Sequence, residues 1–184
     1  MSAIDSDEEL VQTVARGDAE ALETLFERHH RGLYRFFRRA VRPADAAEDL
    51  VQEVFLRVWK YARAFSPDGS FRGWLYRIAR NAASDRLRDS SRFAPSASAE
   101  PLETSDESQP VAGDLAAALS RLSAADREIL VLARLQGLSA AELAAALECS
   151  TGAARVRVHR ALARLRALYL ETTEGNRHAM RRVE

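Results

Sequence analysis

Residues 138–160 read LSAAELAAALECSTGAARVRVHR, and this stretch decides the fold of the second half of the chain. Ser139 and Glu142 form a capping-box pattern, in which a hydroxyl accepts from a backbone amide and a carboxylate reaches back to the start of the helix. Residues 148–150 are typical of a turn, and Thr151 can begin the next helix. The stretch therefore predicts a helix-turn-helix.

The second helix of this motif separates an apolar face from a basic one. At about 100° per residue, one arc holds Ala154, Val158, Ala161, Leu162 and Leu165. The opposite side holds Ala153, Val156, Arg160 and Arg164, flanked by Arg155, Arg157 and His159. Residues 151–168 contain five arginines and no acid, whereas a merely solvated helix usually mixes charge signs. Because such a helix lies in the DNA major groove, the pattern predicts a DNA-reading face; a solvated basic face is the alternative.

Composition limits how the chain can bind nucleic acid. Its 184 residues are 47% hydrophobic, enough for one domain or two small ones, and the net charge is zero. Binding to DNA must therefore come from segregated charge. Of the 27 basic residues 26 are arginine, which suits bidentate contacts to phosphate and guanine, although a GC-rich genome would produce the same bias.

Neither a cofactor nor a metal site is expected. Cys149 is the only cysteine, which excludes an intrachain disulfide and a multi-cysteine zinc site. Its position in the turn predicts a small buried residue, with a redox role as the alternative.

The acidic N-terminus does not resemble a signal peptide, and no apolar run reaches membrane-spanning length. We therefore expect a soluble, cytoplasmic protein without membrane insertion.

Four helices are predicted in the first half of the chain. They run from Ser6 to about Arg16, from Ala19 to about Val41 before Pro43, from about Ala44 to Tyr61, and from about Arg72 to Asp89. The third helix carries Asp45, Asp49, Gln52 and Glu53 on one face. That face predicts a docking surface for a basic partner, or simply a solvated face. The fourth helix interleaves aromatic residues with arginines, which suits unstacked bases and phosphates, with core packing as the alternative for part of the set.

The composition changes between the two helical halves. From Phe93 to Asp114 there are three prolines, five acids and no base, which predicts a disordered linker. The expected fold is all-α, with two small helical domains joined by a flexible acidic linker, the second domain containing the helix-turn-helix. The expected divisions are 1–92, a linker at 93–113, 114–171, and a polar, frayed tail at 172–184.

Three segments together resemble a known family. They are residues 45–56 (DAAEDLVQEVFL), residues 71–81 (FRGWLYRIARN) and the helix-turn-helix. In this order they resemble bacterial RNA polymerase sigma factors of the extracytoplasmic-function (ECF) group of the sigma-70 family. The resemblance covers about residues 7–92 and 114–168. It implies a sigma factor that binds core polymerase and directs promoter recognition, promoter opening and transcription initiation.

The resemblance also implies roles for particular residues. The first domain is similar to region 2, and the residues that would dock on the β′ clamp coiled coil are Asp49, Gln52, Glu53 and Phe55. Residues implied at the −10 element, where a base would be flipped out, are Phe65, Phe71, Arg72, Trp74, Arg77 and Asn81. The second domain is similar to region 4, and the residues implied at the −35 element are Arg155, Val156, Arg157, His159, Arg160 and Arg164, the last at a phosphate.

The resemblance implies two partners, core RNA polymerase, through its β′ and β subunits, and promoter DNA. A dedicated anti-sigma factor is an optional third partner. The linker would run towards the RNA exit path. Members of the family commonly have Ser where this chain has Val156, so a thymine methyl is the contact its side chain can make there.

The alternatives are a stand-alone helix-turn-helix transcription regulator, which leaves the acidic helix unexplained, and an enzyme, for which no catalytic constellation stands out.

Overall fold

The computed structural model describes residues 6–39, 44–93 and 113–180, with side chains at 6–39, 45–88 and 113–174. Within these ranges the chain forms eight α-helices and no strand, so the predicted all-α class is confirmed. The helices are α1 (Asp7–Ala15), α2 (Ala19–Phe37), α3 (Ala44–Tyr61), α4 (Phe71–Phe93), α5 (Gly113–Arg121), α6 (Ala124–Leu130), α7 (Ala140–Ala146) and α8 (Thr151–Met180). Apart from its two ends, the expected linker lies outside the described residues.

The first lobe, α1 to α4, encloses one apolar core. Its fully buried large side chains are Val11, Leu25, Leu33, Phe37, Leu50, Val54, Val58, Phe71 and Leu75. Tyr61, the last residue of α3, is 48% exposed, because α3 ends there and a 3₁₀ turn (Ala62–Ala64) follows. The core thus depends on packing of all four helices.

The first turn of α1 ties the first lobe together through two acids. Asp7 Oδ1 accepts from Arg28 Nη1 at 2.9 Å, and Asp7 Oδ2 lies 2.6 Å from Nε2 of His29. Glu8 Oε1 accepts the backbone N–H of Phe71 at 2.9 Å, so α1 caps the start of α4. His29 itself is half-buried and lies against the ring of Phe71.

The second lobe, α5 to α8, is organised around α8. Ala154 and Ala161 are fully buried, and Val158, Leu162 and Leu165 pack against the core, as the helical-wheel pattern predicts. The helix-turn-helix is present as α7 and α8, with the Ser139–Glu142 capping box formed and Ser150 accepting the N–H of Ala153.

The last helix is longer than the sequence suggested. A frayed tail was expected from about residue 171, yet α8 continues to Met180. Leu168 packs against the core, and Glu171 pairs with Arg121 of α5 at 2.7 Å. These two contacts extend the packed part of α8 beyond the helix-turn-helix.

The two lobes contact each other through α4 and α7. A π-helical turn (Val131–Leu135) follows α6, and Gly137, at φ +66°, ends it before α7 begins. This turn brings Gln136 against α4, where its side-chain oxygen accepts from the Tyr76 hydroxyl at 2.8 Å.

We expect Asp7→Asn to destabilise the protein at neutral pH by about 1–2 kcal/mol, because it weakens charge-assisted hydrogen bonds. The hydrogen bond from His29 is the main reason that the pKa of Asp7 lies below its ordinary value. A carboxyl group whose pKa is lowered by folding stabilises the folded state fully at pH values above its unfolded-state pKa, which is about 3.9. This contribution to the free energy of unfolding is lost as the pH falls through the folded-state pKa. Urea unfolding should therefore show the variant and the wild type converging below about pH 3.9. The control is Glu20→Gln, at an exposed acid. A difference in the free energy of unfolding between Asp7→Asn and the wild type that stays constant as the pH is lowered would contradict this role.

Candidate nucleic-acid interface

The N-terminal half of α8 presents an exposed basic face. Arg155, Arg157, His159 and Arg160 are all exposed, and 48% of Val156 is exposed between them. Within the described part of the chain, none of these arginines forms an ion pair with an acid. The apolar side of α8 packs inwards against α5, α6 and α7. The helical periodicity therefore places these basic side chains on the outer side of the helix.

Arg164, one turn further along α8, is arranged differently. Its Nη1 lies 2.7 Å from Oδ2 of Asp126, in the first turn of α6. The hydrogen bond from Arg164 is the main reason that the pKa of Asp126 is lowered. The Arg164 side chain is still 62% exposed, so its guanidinium remains accessible at the edge of the basic face.

The turn of the helix-turn-helix contains one unusual backbone conformation. Glu148 has φ +51°, in the left-handed region that favours glycine. It follows the C-cap of α7, where Cys149 N–H bonds back to the carbonyl of Ala144. The Glu148 carboxylate lies 3.5 Å from Nη1 of Arg77 on α4. A strained glutamate therefore faces the other lobe.

The aromatic residues expected at the −10 element form a cluster inside the first lobe. Phe65 lies 5.4 Å from Trp74 and 6.3 Å from Phe71 between ring centroids. Trp74 and Phe65 are 8% exposed, and Phe71 is completely buried. Phe71 therefore cannot contact DNA in this arrangement, because it fills the core beside His29; Asn81, by contrast, is exposed.

Three arginines of α4 point towards the second lobe. We call the set Arg72, Gly73, Tyr76, Arg77 and Arg80 the arginine face of α4, because these positions share one side of the helix. The guanidinium of Arg72 donates to the carbonyl of Gln136 at 2.5 Å and to Glu142 at 3.3 Å. Neither contact was expected from the sequence.

Arg80 is the residue of this face that sequence analysis missed. Its guanidinium makes a bidentate pair with Glu128, at 2.9 and 3.1 Å, and donates to the carbonyl of Ala146 at 2.8 Å. Its spacing of eight residues from Arg72 was the available signal, since i, i+4 and i+8 lie on one side of a helix.

The acidic face of α3, defined by Asp45, Asp49, Gln52 and Glu53, is on the surface. Glu53 accepts from Arg57 at 2.5 Å, and Arg57 also contacts Asp85 of α4. Phe55 is buried, 5.0 Å from the ring of Phe26, so the implied direct contact of Phe55 with a partner is not available in this arrangement.

Two exposed apolar side chains beside the acidic face were also missed. Leu56 is 69% exposed and Trp59 is 42% exposed. Aromatic side chains are enriched in the centres of protein interfaces, where charged residues are depleted. The signal in the sequence was their position three and six residues after Glu53, outside the apolar positions of α3.

The described residues contain no cluster of three metal-binding side chains and no helix long and apolar enough to span a membrane. Cys149, expected to be buried, is half-buried in the turn and packs against the core.

Comparison with known proteins identifies the family. Residues 25–93 match Sigma-70 region 2, and residues 112–165 match Sigma-70, region 4. The ECF RNA polymerase sigma factor SigM of Mycobacterium tuberculosis is 35% identical over 171 residues, which cover 91% of this chain and 87% of SigM. The chain belongs to the ECF sigma factors. It accordingly binds core RNA polymerase and promoter DNA, and it directs promoter recognition and transcription initiation.

Solved structures of sigma factors share its fold. CnrH, in complex with the cytosolic domain of CnrY, is 32% identical with a TM-score of 0.67, and the match covers 89% of this chain and 97% of CnrH. The sigma factor RpoE of Bartonella quintana, in complex with the anti-sigma factor NepR, is 28% identical with a TM-score of 0.61, over 79% of this sigma factor and 94% of RpoE.

We expect Glu148→Gly to raise the free energy of unfolding by about 1 kcal/mol, because glycine adopts the left-handed conformation without the steric cost of a Cβ. Glu148→Ala removes the same carboxylate but keeps the strained backbone, so it should give no such gain. Urea unfolding of both variants measures the difference. Equal stabilities of the glycine and alanine variants would contradict backbone strain at this turn.

Proposed function

We propose that the two lobes divide promoter recognition between them, the first binding core polymerase and the −10 element and the second reading the −35 element. The observation that carries the proposal is the exposed basic face of α8, which is free of acids over its N-terminal half. A net-neutral chain that segregates positive charge onto one helix of a helix-turn-helix has the surface that a major groove accepts.

At the −35 element we assign base contacts to the middle of the face and a phosphate contact to its end. Arg160 is exposed near the centre of the face. A bidentate pair of arginine with guanine there would favour guanine over another base by about 1–3 kcal/mol. Val156 offers only methyl groups, which suit the methyl of thymine. Arg164 is turned towards Asp126 and fits a backbone phosphate better than a base edge.

At the −10 element we assign the contacts to the exposed surface around Asn81 and to the arginines of α4. Flipping a base out of a duplex costs a few kcal/mol, so stacking and hydrogen bonds must offset it. Phe65 and Trp74, each 8% exposed, can offer little of their surface to a base in this arrangement, and Phe71 supports them from inside the core. Arg72 and Arg77 would contact the strand once they leave the second lobe.

Core polymerase would dock on the acidic face of α3. Asp49 and Gln52 are exposed, and 45% of the Glu53 side chain is exposed. We add Leu56 and Trp59 as the apolar centre of this surface, with the acids as its polar rim. The buried Phe55 would act from below, by holding the helix against Phe26.

We further propose that the chain catalyses no reaction itself, since RNA synthesis belongs to the polymerase. We also propose that it acts in the cytoplasm, where polymerase and promoters meet. RpoE forms its complex with the anti-sigma factor NepR, and the likeness of the two sigma factors supports a similar partner here. A stand-alone helix-turn-helix regulator is not favoured, because it would leave the acidic face of α3 without a role.

We expect Asp49→Arg combined with Glu53→Arg to abolish co-purification with core polymerase while the protein stays folded. Both side chains are substantially exposed, so little packing is lost, and like charges facing a basic partner cost several kcal/mol. Leu56→Ala should weaken binding in the same direction without loss of stability.

The matched control is Glu20→Arg with Glu27→Arg, which makes the same charge change at exposed positions of α2. Circular dichroism would report folding. Undiminished co-purification of the α3 variant, or equal loss with the α2 variant, would contradict the docking assignment.

We expect Arg160→Ala to relax base preference at one or two −35 positions, because a base contact carries sequence information. Arg164→Ala should instead weaken all promoters about equally and reduce the salt slope by about one unit, because it removes a phosphate contact. Val156→Ser should lower transcription from native promoters and shift the preferred base nearest to it. Reporter assays over a randomised −35 element distinguish these effects.

The orientation of α8 in the groove would be wrong if Arg164→Ala altered the base profile and Val156→Ser did not. Arg121→Ala serves as the control, since it removes an arginine of the same lobe that pairs with Glu171 away from the basic face.

A further inference from the structure

The connection between α3 and α4 is anchored at both of its ends. It runs from the 3₁₀ turn, Ala62–Ala64, to Phe71, the first residue of α4. Arg63 Nε donates to the backbone carbonyl of Ala15, the last residue of α1, at 3.2 Å. At the other end, the Phe71 N–H donates to Glu8 Oε1 at 2.9 Å. One helix, α1, therefore holds both ends of this connection.

The geometry of α1 suits it to this task. Because an α-helix rises about 1.5 Å per residue, Glu8 and Ala15 lie about 10 Å apart along the helix axis. The side of α1 that faces the core of the first lobe is buried through Leu10, Val11 and Val14. The helix cannot slide or roll without exposing these side chains to water, which is unfavourable. It therefore keeps the two attachment points at a fixed separation.

Phe71 is held by its side chain as well as by its backbone. Its ring centroid lies 5.4 Å from that of His29, and Nε2 of His29 lies 2.6 Å from Oδ2 of Asp7. Asp7 also accepts from Arg28 at 2.9 Å. Asp7 thus fixes the side chain against which the Phe71 ring packs, while the next residue of α1 fixes the Phe71 backbone.

Between the two anchors lies a short loop, residues 66–70. The Gly69 N–H donates to the carbonyl of Ser66 at 2.9 Å, and a Cβ added at Gly69 would lie 3.1 Å from the same oxygen. Residues 66–68 are exposed, whereas Phe65 immediately before them is buried. The exposed part of the loop is therefore held by its own turn and by the anchored ends, not by burial of its side chains.

We propose that α1 is a positioning element for −10 recognition: through Glu8 and Arg63 it fixes the loop 66–70 in the form that discriminates between bases. This rests on the proposed assignment of the first lobe to the −10 element. A loop that must become ordered on binding loses part of its binding energy to that ordering, and a preformed loop does not. Neither Glu8 nor Arg63 needs to touch the DNA in this role.

The expected effect on specificity follows from the population of the ordered loop. If release of one anchor leaves one part in ten of the chain with the loop in its ordered form, affinity for the preferred base falls about tenfold. Sequences that do not use the ordered loop lose nothing. Base preference at the −10 element therefore decreases, whereas the −35 element, which the other lobe reads, is unaffected.

The first test follows the loop in the free chain by amide hydrogen exchange. The Gly69 N–H should exchange about tenfold faster in Glu8→Ala and in Arg63→Ala, because each change releases one end of the loop. Glu8→Gln should exchange as the wild type does, because its amide oxygen still accepts the Phe71 N–H. The control is Asp18→Ala, which also removes a carboxylate that accepts backbone amides at a helix start, in this case that of α2.

The second test measures base preference in the holoenzyme, with core polymerase and templates randomised at the −10 and −35 elements. Glu8→Ala and Arg63→Ala should each reduce the preference at one −10 position about tenfold and leave the −35 preference unchanged. Glu8→Gln should keep the wild-type preference. Asp18→Ala should lower only the total transcription, as a purely structural role of Glu8 would. Arg63→Ala keeps the test decisive if Glu8→Ala does not fold, because the exposed Arg63 side chain contributes little packing.

Three results would overturn the proposal. The first is an unchanged −10 preference or an unchanged Gly69 exchange rate in either alanine variant. The second is a loss of preference in Asp18→Ala as large as in Glu8→Ala. The third is a uniform weakening of all −10 sequences with a lower salt slope in Arg63→Ala, which is the effect of a lost phosphate contact.

Failure of the −10 assignment itself gives a different result. It would appear as an unchanged −10 base preference of Asn81→Ala in the same holoenzyme. A change of preference in Asn81→Ala, without one in Glu8→Ala and Arg63→Ala, would refute the positioning role of α1 alone.

Discussion

The packing of α4 constrains the rest of the structure, because this helix is covered on two sides at once. One side carries Trp74, Leu75, Ile78 and Ala79 into the core of the first lobe. The other side, the arginine face, meets the second lobe at a distance that leaves no room for a Cβ at Gly73. A partner that needs the arginines must therefore displace α7 without disturbing the core beneath them.

The two proposed DNA-binding surfaces consequently differ in their exposure. The basic face of α8 is exposed, whereas the arginine face of α4 is covered by carboxylates of the second lobe. The chain is neutral overall, so neither surface is assisted by bulk charge. In the arrangement described, the basic face of α8 is open to duplex DNA, whereas Arg72 and Arg80 of α4 are engaged by the second lobe.

Local features could be predicted from the sequence, and contacts between distant residues could not. The capping box at Ser139, the turn and the two faces of α8 depend on residues within a few positions of one another. The pair of Arg80 with Glu128 and the approach of Gly73 to Ala145 join residues 48 and 72 positions apart. Phe55 and Phe71 were assigned to interfaces because the resemblance implies these roles at their positions, but a matching position does not show whether core or partner covers the side chain.

Transcription from a randomised promoter library by purified core polymerase, with and without the chain, tests the central claim most directly. We expect promoter-specific transcripts that depend on the chain and share two separated blocks of sequence. A substitution at Asn81 should change only the downstream block, and one at Arg160 only the upstream block. Transcripts without a shared pattern, or a change in the downstream block caused by Arg160→Ala, would contradict the division of promoter recognition between two lobes.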